Sequence, residues 1–132
     1  MASYTSFEEL PCWQKCRAVR LWVEDFIKTK VPKNDFDMID NMRRAGRSTT
    51  RNIAEACLPV RQGFGRYHFK ENIRFCQFSR GSLFEIKDDL IICLDEKKVK
   101  QEDISDGLKL VSEAIHSVNG YIKYLNSKGR KS

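Results

Sequence analysis

The stretch ISDGLKLVSEAIHSVNGYIKYL, residues 104–125, decides the fold. Its apolar residues Ile104, Leu108, Val111, Ile115, Val118, Ile122 and Leu125 step by four and three in alternation. That spacing draws a seam down one side of an α-helix and does not fit a strand, whose side chains alternate with a period of two. No proline interrupts it, and Gly120 costs a helix only about 1 kcal/mol relative to alanine. The spacing predicts a helix over about 101–126, with Val111, Ile115 and Val118 in the core.

The same periodicity recurs three times upstream. Pro11, a favourable first-turn residue, opens a helix over about 11–30 that stops before Val31 and Pro32. Cys12, Cys16, Val19, Val23, Phe26 and Ile27 share its inner side. A second helix, about 35–58, turns Met38, Met42, Ala45, Thr49, Ile53 and Ala56 inward. A third, about 66–96, has a broad apolar side of Phe69, Ile73, Cys76, Leu83, Leu90 and Leu94. The joints VPKND, PVRQGFG and EKKVKQED carry breakers or charge clusters. Short joints make antiparallel neighbours, so residues 1–132 read as a single all-α, up-down four-helix bundle. The tail NSKGRKS is expected to fray.

With 132 residues, 41% of them hydrophobic, the chain can bury a core without external staples. There is no apolar run of about 18 residues and no signal-peptide pattern at MASYTSFEELPCW. The expectation is a cytoplasmic protein without membrane contact. Five cysteines occur, Cys12, Cys16, Cys57, Cys76 and Cys93; the count is odd and no Cys-x-x-Cys pair is present. Cys12 and Cys16 could share a helical face, and His68 and His116 are available. Buried, reduced cysteines acting as small hydrophobes are nevertheless the favoured reading, and no metal or cofactor is expected. Gly-x-Ser-x-Gly and His-Glu-x-x-His are absent, and Asp88 and Asp89 fall on different helix azimuths, so no enzyme is expected.

Charge is spread unevenly. The net +6 is concentrated in residues 41–80, where nine Lys/Arg face two Asp/Glu; the rest holds 15 against 16. Arg43, Arg44, Arg47 and Arg51 cluster away from the inner side of the second helix. Arg66, Lys70 and Arg74 form a stripe on the third. Between them Arg61 and Arg66 flank Gly63-Phe64-Gly65, which reads either as an anion cradle at a helix start or as a plain joint. Such an excess suits a polyanionic partner, RNA or DNA. Asn52 and Glu55, close together on the second helix, could pair with Arg80 as a structural polar network, or mark a site. Leu21 and Trp22 on the first helix, and Leu110 and Tyr121 on the last, lie off the apolar seams. They are read as contacts of a homo-oligomer.

Taken together, three motifs resemble those of a known family. FEELPCWQK (Phe7 to Lys15), RRAGRSTTRNIAEA (Arg43 to Ala56) and RFCQFSRGSLFEI (Arg74 to Ile86), with the closing VNGYIKYL, are similar to the bacterial four-helix-bundle proteins encoded in intervening sequences of large-subunit ribosomal RNA genes, and to their relatives that serve as accessory proteins of diversity-generating retroelements. Thr50 stands where the family often has proline, Ala56 where glycine usually follows the glutamate, and the joint CLPVRQGFGR is longer than usual. The resemblance implies a non-enzymatic bundle assembled into a ring, commonly a pentamer. For the retroelement relatives it implies nucleic-acid binding through a basic surface and a reverse transcriptase as partner. The alternative is a self-assembling protein-interaction module with no nucleic-acid role.

Overall fold

The computed structural model describes residues 6–61 and 66–131; the side chains of 58–61, 66–68 and 130–131 lie outside that description. A short 3-10 turn, Phe7–Glu9, precedes α1 (Pro11–Lys30), α2 (Phe36–Arg61), α3 (Arg66–Asp95) and α4 (Gln101–Lys131). No strand occurs among the described residues. Among them, α1 runs beside α2 and α4, and α3 runs beside α2 and α4, while the diagonal pair α1 and α3 meets through core side chains, Cys16 Sγ lying 3.6 Å from Ser79 Oγ. That is the cyclic neighbour pattern of an up-down-up-down bundle.

Local chemistry sets the helix ends. Pro11 opens α1 at its first turn. Asp35 caps α2, its Oδ1 accepting from Met38 N–H at 3.3 Å. Its other oxygen accepts from Lys98 Nζ, tying the α1–α2 joint to the α3–α4 joint and holding the Asp35 carboxyl below its usual range. Lys97 takes a positive φ of 61° just after α3. There Lys98 N–H bonds back to the Cys93 carbonyl at 3.0 Å, the left-handed exit common at helix ends. At the start of α4, Asp103 Oδ2 accepts from Lys100 N–H at 2.8 Å, half of a capping box.

The inner faces read from α1 and α2 are buried residue for residue. On α3, Cys76, Leu83 and Leu90 are buried as expected, while Phe69, Ile73 and Leu94 pack at the core's edge. Small polar residues join that core: Thr49, Ser79 and Ser82 are buried. Ser79 Oγ donates to the Thr49 carbonyl at 2.8 Å, which satisfies its hydroxyl where α2 and α3 meet. All five cysteines are buried free thiols. Burial pushes the Cys16 thiol up to about 11 and Cys76 up to about 12. Both stay protonated and behave as small hydrophobes.

Three expectations are corrected. Ile115 is only partly buried, while its neighbour Ala114 is fully buried in its place. α4 packs against two helices, so its buried arc is wider than a heptad seam and shifts toward Ala114. The tail expected to fray is helical: α4 runs to Lys131, and Gly129 is buried beside Phe69, whose Cβ would lie 3.5 Å from an added Cβ. α2 continues past Pro59 to Arg61 rather than ending at 58.

Candidate nucleic-acid interface

α1 and α2 lie side by side, and i, i+4 spacing puts Arg20 and Glu24 of α1 opposite Arg43, Arg47 and Arg51 of α2. Arg43 grips Glu24 with two bonds, Nε to Oε1 at 2.8 Å and Nη2 to Oε2 at 3.3 Å. This fork, with the charge of Arg47 nearby, holds the Glu24 carboxyl below its usual range. Arg20 Nη1 donates to Thr50 Oγ1 at 2.7 Å, which fixes its guanidinium against α2. The side chains of Arg47 and Arg51 are exposed and make no hydrogen bond or ion pair among the described residues.

Arg20, Glu24, Arg47, Thr50 and Arg51 line an open groove of about 560 Å³. Phe7 and Trp13 line it too, their rings tilted at 59° with centroids 5.4 Å apart. The 3-10 turn that carries Phe7 contacts both α1 and α2. Gln14 Nε2 ties the turn to α1 by donating to the Glu8 carbonyl at 3.1 Å. Thus the segments 7–15 and 43–56, remote in sequence, meet at one groove.

The basic residues read from sequence do not form one surface. Arg43 is consumed by Glu24. Arg44 faces the other flank of α2, pairs with Asp40 and lines a second groove of about 420 Å³ between α2 and α3. Consecutive helical residues stand 100° apart, so Arg43 and Arg44 cannot share a flank. That second groove is acidic, lined by Glu85, Asp88 and Asp89. Burial, with the charges of Asp88 and Glu85, pushes the Asp89 carboxyl up to about 6. Lys70 and Arg74 stand on α3, diagonally across the bundle from α1. Arg74 pairs with Glu71 at 3.6 Å and lies 5.7 Å from the Phe78 ring centroid. The side chains of Arg61 and Arg66, and the loop Gly63-Phe64-Gly65, lie outside the described residues.

The polar trio also separates. Asn52 Nδ2 donates to Ser48, at 2.9 Å to both its carbonyl and its hydroxyl. Ser82 Oγ bonds Ser48 Oγ at 2.8 Å and extends that link to α3. Arg80 Nη1 donates instead to Asn119 Oδ1 of α4 at 2.6 Å. Glu55 is exposed. Asn52, Glu55 and Arg80 therefore do not form a network.

Of the residues read as oligomer contacts, Trp22, Leu110 and Tyr121 pack against the chain's own core. Trp22 stacks on Phe26 at 4.9 Å. Leu21 remains 51% exposed. Further apolar exposure lies on α3, at Phe78 (49%), Phe84 (50%) and Ile91 (38%). An added Cβ at Gly81 would meet nothing within 4 Å. Sequence reasoning missed Phe7, Trp13 and Arg20 as groove residues. Their signal was available: both aromatics lie in the FEELPCWQK motif, and Arg20 stands four residues before Glu24.

The family model described as 23S rRNA-intervening sequence protein matches residues 8–120. The chain belongs to that family. No curated protein matches it. Among the described residues, no helix is long and apolar enough to cross a membrane.

Proposed function

We propose that this member of the 23S rRNA-intervening sequence protein family is a non-enzymatic, self-associating scaffold that binds RNA or DNA along the α1–α2 groove. The observation that carries the reading is the pair Arg47 and Arg51, exposed and unpartnered among the described residues, beside an Arg20 already fixed by Thr50. Glu24, the carboxylate lining the same groove, spends its hydrogen bonds on Arg43. Unpaired guanidiniums release counterions when they meet phosphates, so binding falls as salt rises. Three phosphate contacts on a single strand give a log–log slope of about −2.

Titration with labelled RNA and DNA across a salt series tests the reading. The double substitution Arg47→Glu and Arg51→Glu abolishes binding while helicity persists, and Arg44→Glu, on the opposite flank, leaves it largely intact. Absence of binding to either nucleic acid at low salt overturns the proposal. A reverse transcriptase is the candidate protein partner, tested by co-purification.

The second reading, a self-assembling protein-interaction module, is supported by exposed Phe84 and Ile91, which share one side of α3, with Phe78 exposed on the same helix. Both readings call for a homo-oligomer, a pentameric ring being the form proposed. Light scattering then gives several times the chain mass of 15.4 kDa. Phe84→Ser lowers that mass, and a monomeric wild type removes the self-association.

A further inference from the structure

Resting on the nucleic-acid reading of the same groove, we infer that the α1–α2 groove takes one unpaired nucleotide, its phosphate on Arg47 and Arg51 and its base against Trp13. Two chemistries converge there. The α2 wall supplies cations, with Arg20 fixed between the helices by its 2.7 Å bond to Thr50. Trp13 and Phe7 supply an aromatic platform in the same cavity. A phosphate alone has no use for that platform, and an aromatic group alone has none for three guanidiniums. A nucleotide uses both. The volume, about 560 Å³, falls in the ordinary range for small-ligand sites, about 300–1,000 Å³.

The platform is positioned before any ligand arrives. Phe7 packs against Trp13 at 5.4 Å. The turn that carries it is capped by Ser6 Oγ, which accepts from Glu8 N–H at 3.3 Å, and is pinned to α1 by Gln14. A side chain held in this way loses little freedom on stacking.

The groove also predicts what is not read. Thr50 and Glu24, its other polar side chains, are committed. Thr50 Oγ1 accepts from Arg20 and donates to the Arg47 carbonyl at 3.3 Å. The Glu24 carboxylate is held by Arg43. With Arg47 and Arg51 on the phosphate, the indole N–H of Trp13 is the one lining side-chain donor without a hydrogen bond among the described residues, too little to discriminate four bases, so stacking is tolerant of sequence. A base must leave its pair to reach Trp13, so duplex is disfavoured.

Four probes decide the matter with the full chain: a single-stranded RNA ten-mer, the same strand in duplex, an abasic strand of equal length, and 5′-AMP with adenosine as its control. The single strand binds at least about tenfold more tightly than the duplex or the abasic strand, because each stacked base is lost in both. 5′-AMP competes with the strand and adenosine does not. Trp13→Ala weakens single-strand binding about tenfold and leaves duplex binding unchanged, while Trp13→Phe restores most of the loss. An abasic strand binding as tightly as the intact one overturns the inference even if Trp13→Ala fails to fold. In that outcome phosphate binding by Arg47 and Arg51 still stands. Only the failure of every nucleic-acid probe removes both.

Discussion

The indole of Trp22 on α1 lies directly over Gly107 on α4. A Cβ placed on Gly107 would lie no more than 2.7 Å from Cη2, Cζ3 and Cζ2 of the six-membered ring, well within van der Waals contact. The glycine is buried, and the ring is stacked on Phe26 with centroids 4.9 Å apart. α1 and α4 close on each other through an aromatic ring set on a bare backbone.

Gly107→Ala therefore destabilises the protein by about 1–3 kcal/mol through overpacking. Gly120→Ala, on the same helix with nothing within 4 Å of the new methyl, stabilises it by up to about 1 kcal/mol through helix propensity. Thermal melts of the two variants should move in opposite directions.

Val118→Asp places a carboxylate at a fully buried site on α4, where it finds neither water nor a partner. The variant is expected to be unfolded or insoluble. Ile115→Asp, at the edge of the same helix's buried arc, should stay folded with a lowered melting temperature. Circular dichroism and solubility separate the two, and equal damage from both would refute the placement of the core.

Asp89 titrates near 6 in the folded chain because burial, Asp88 and Glu85 all oppose its charge. A folded pKa above the unfolded value means the native state binds the extra proton between about pH 4 and 6, so stability falls as pH rises through that window. Asp89→Asn removes the penalty. It should raise stability at pH 7.5 by about 1 kcal/mol once solvent screening is allowed for, and change little at pH 4. Denaturant melts at the two pH values check the sign.

Glu24 shows the opposite linkage. Its carboxyl is lowered, first by the bond from Arg43, so its contribution is present above the ordinary carboxylate range and is lost as pH falls through the lowered value. Arg43→Gln should cost at most about 1 kcal/mol at pH 7, since both partners are about one-third exposed. The difference from wild type should shrink below about pH 4. A constant difference across pH would mean that Arg43 acts through packing alone.

Tyr121 illustrates how an off-seam residue misleads. Its position off the heptad seam of α4 suggested a subunit contact, yet it is stacked on Tyr124 and packed at the core's edge. Burial raises its phenol. In a closed bundle each helix meets two neighbours, so residues flanking the seam are covered from within the chain.

The sequence by itself determined the four helices, most of their ends, and the inner faces of α1 and α2. These follow from rules that act within a turn or two of chain: 100° per residue, proline at a first turn, apolar residues at i, i+3 and i+4. It also held the positive excess of residues 41–80. Only the tertiary structure decided where that charge is usable. Arg43 was lost to Glu24 and Arg44 to the far flank, while Arg47 and Arg51 were joined by Arg20, Phe7 and Trp13 from another element. Periodicity fixes which residues share a side of one helix. The neighbour that side meets depends on how four helices pack together, and no single segment carries that information.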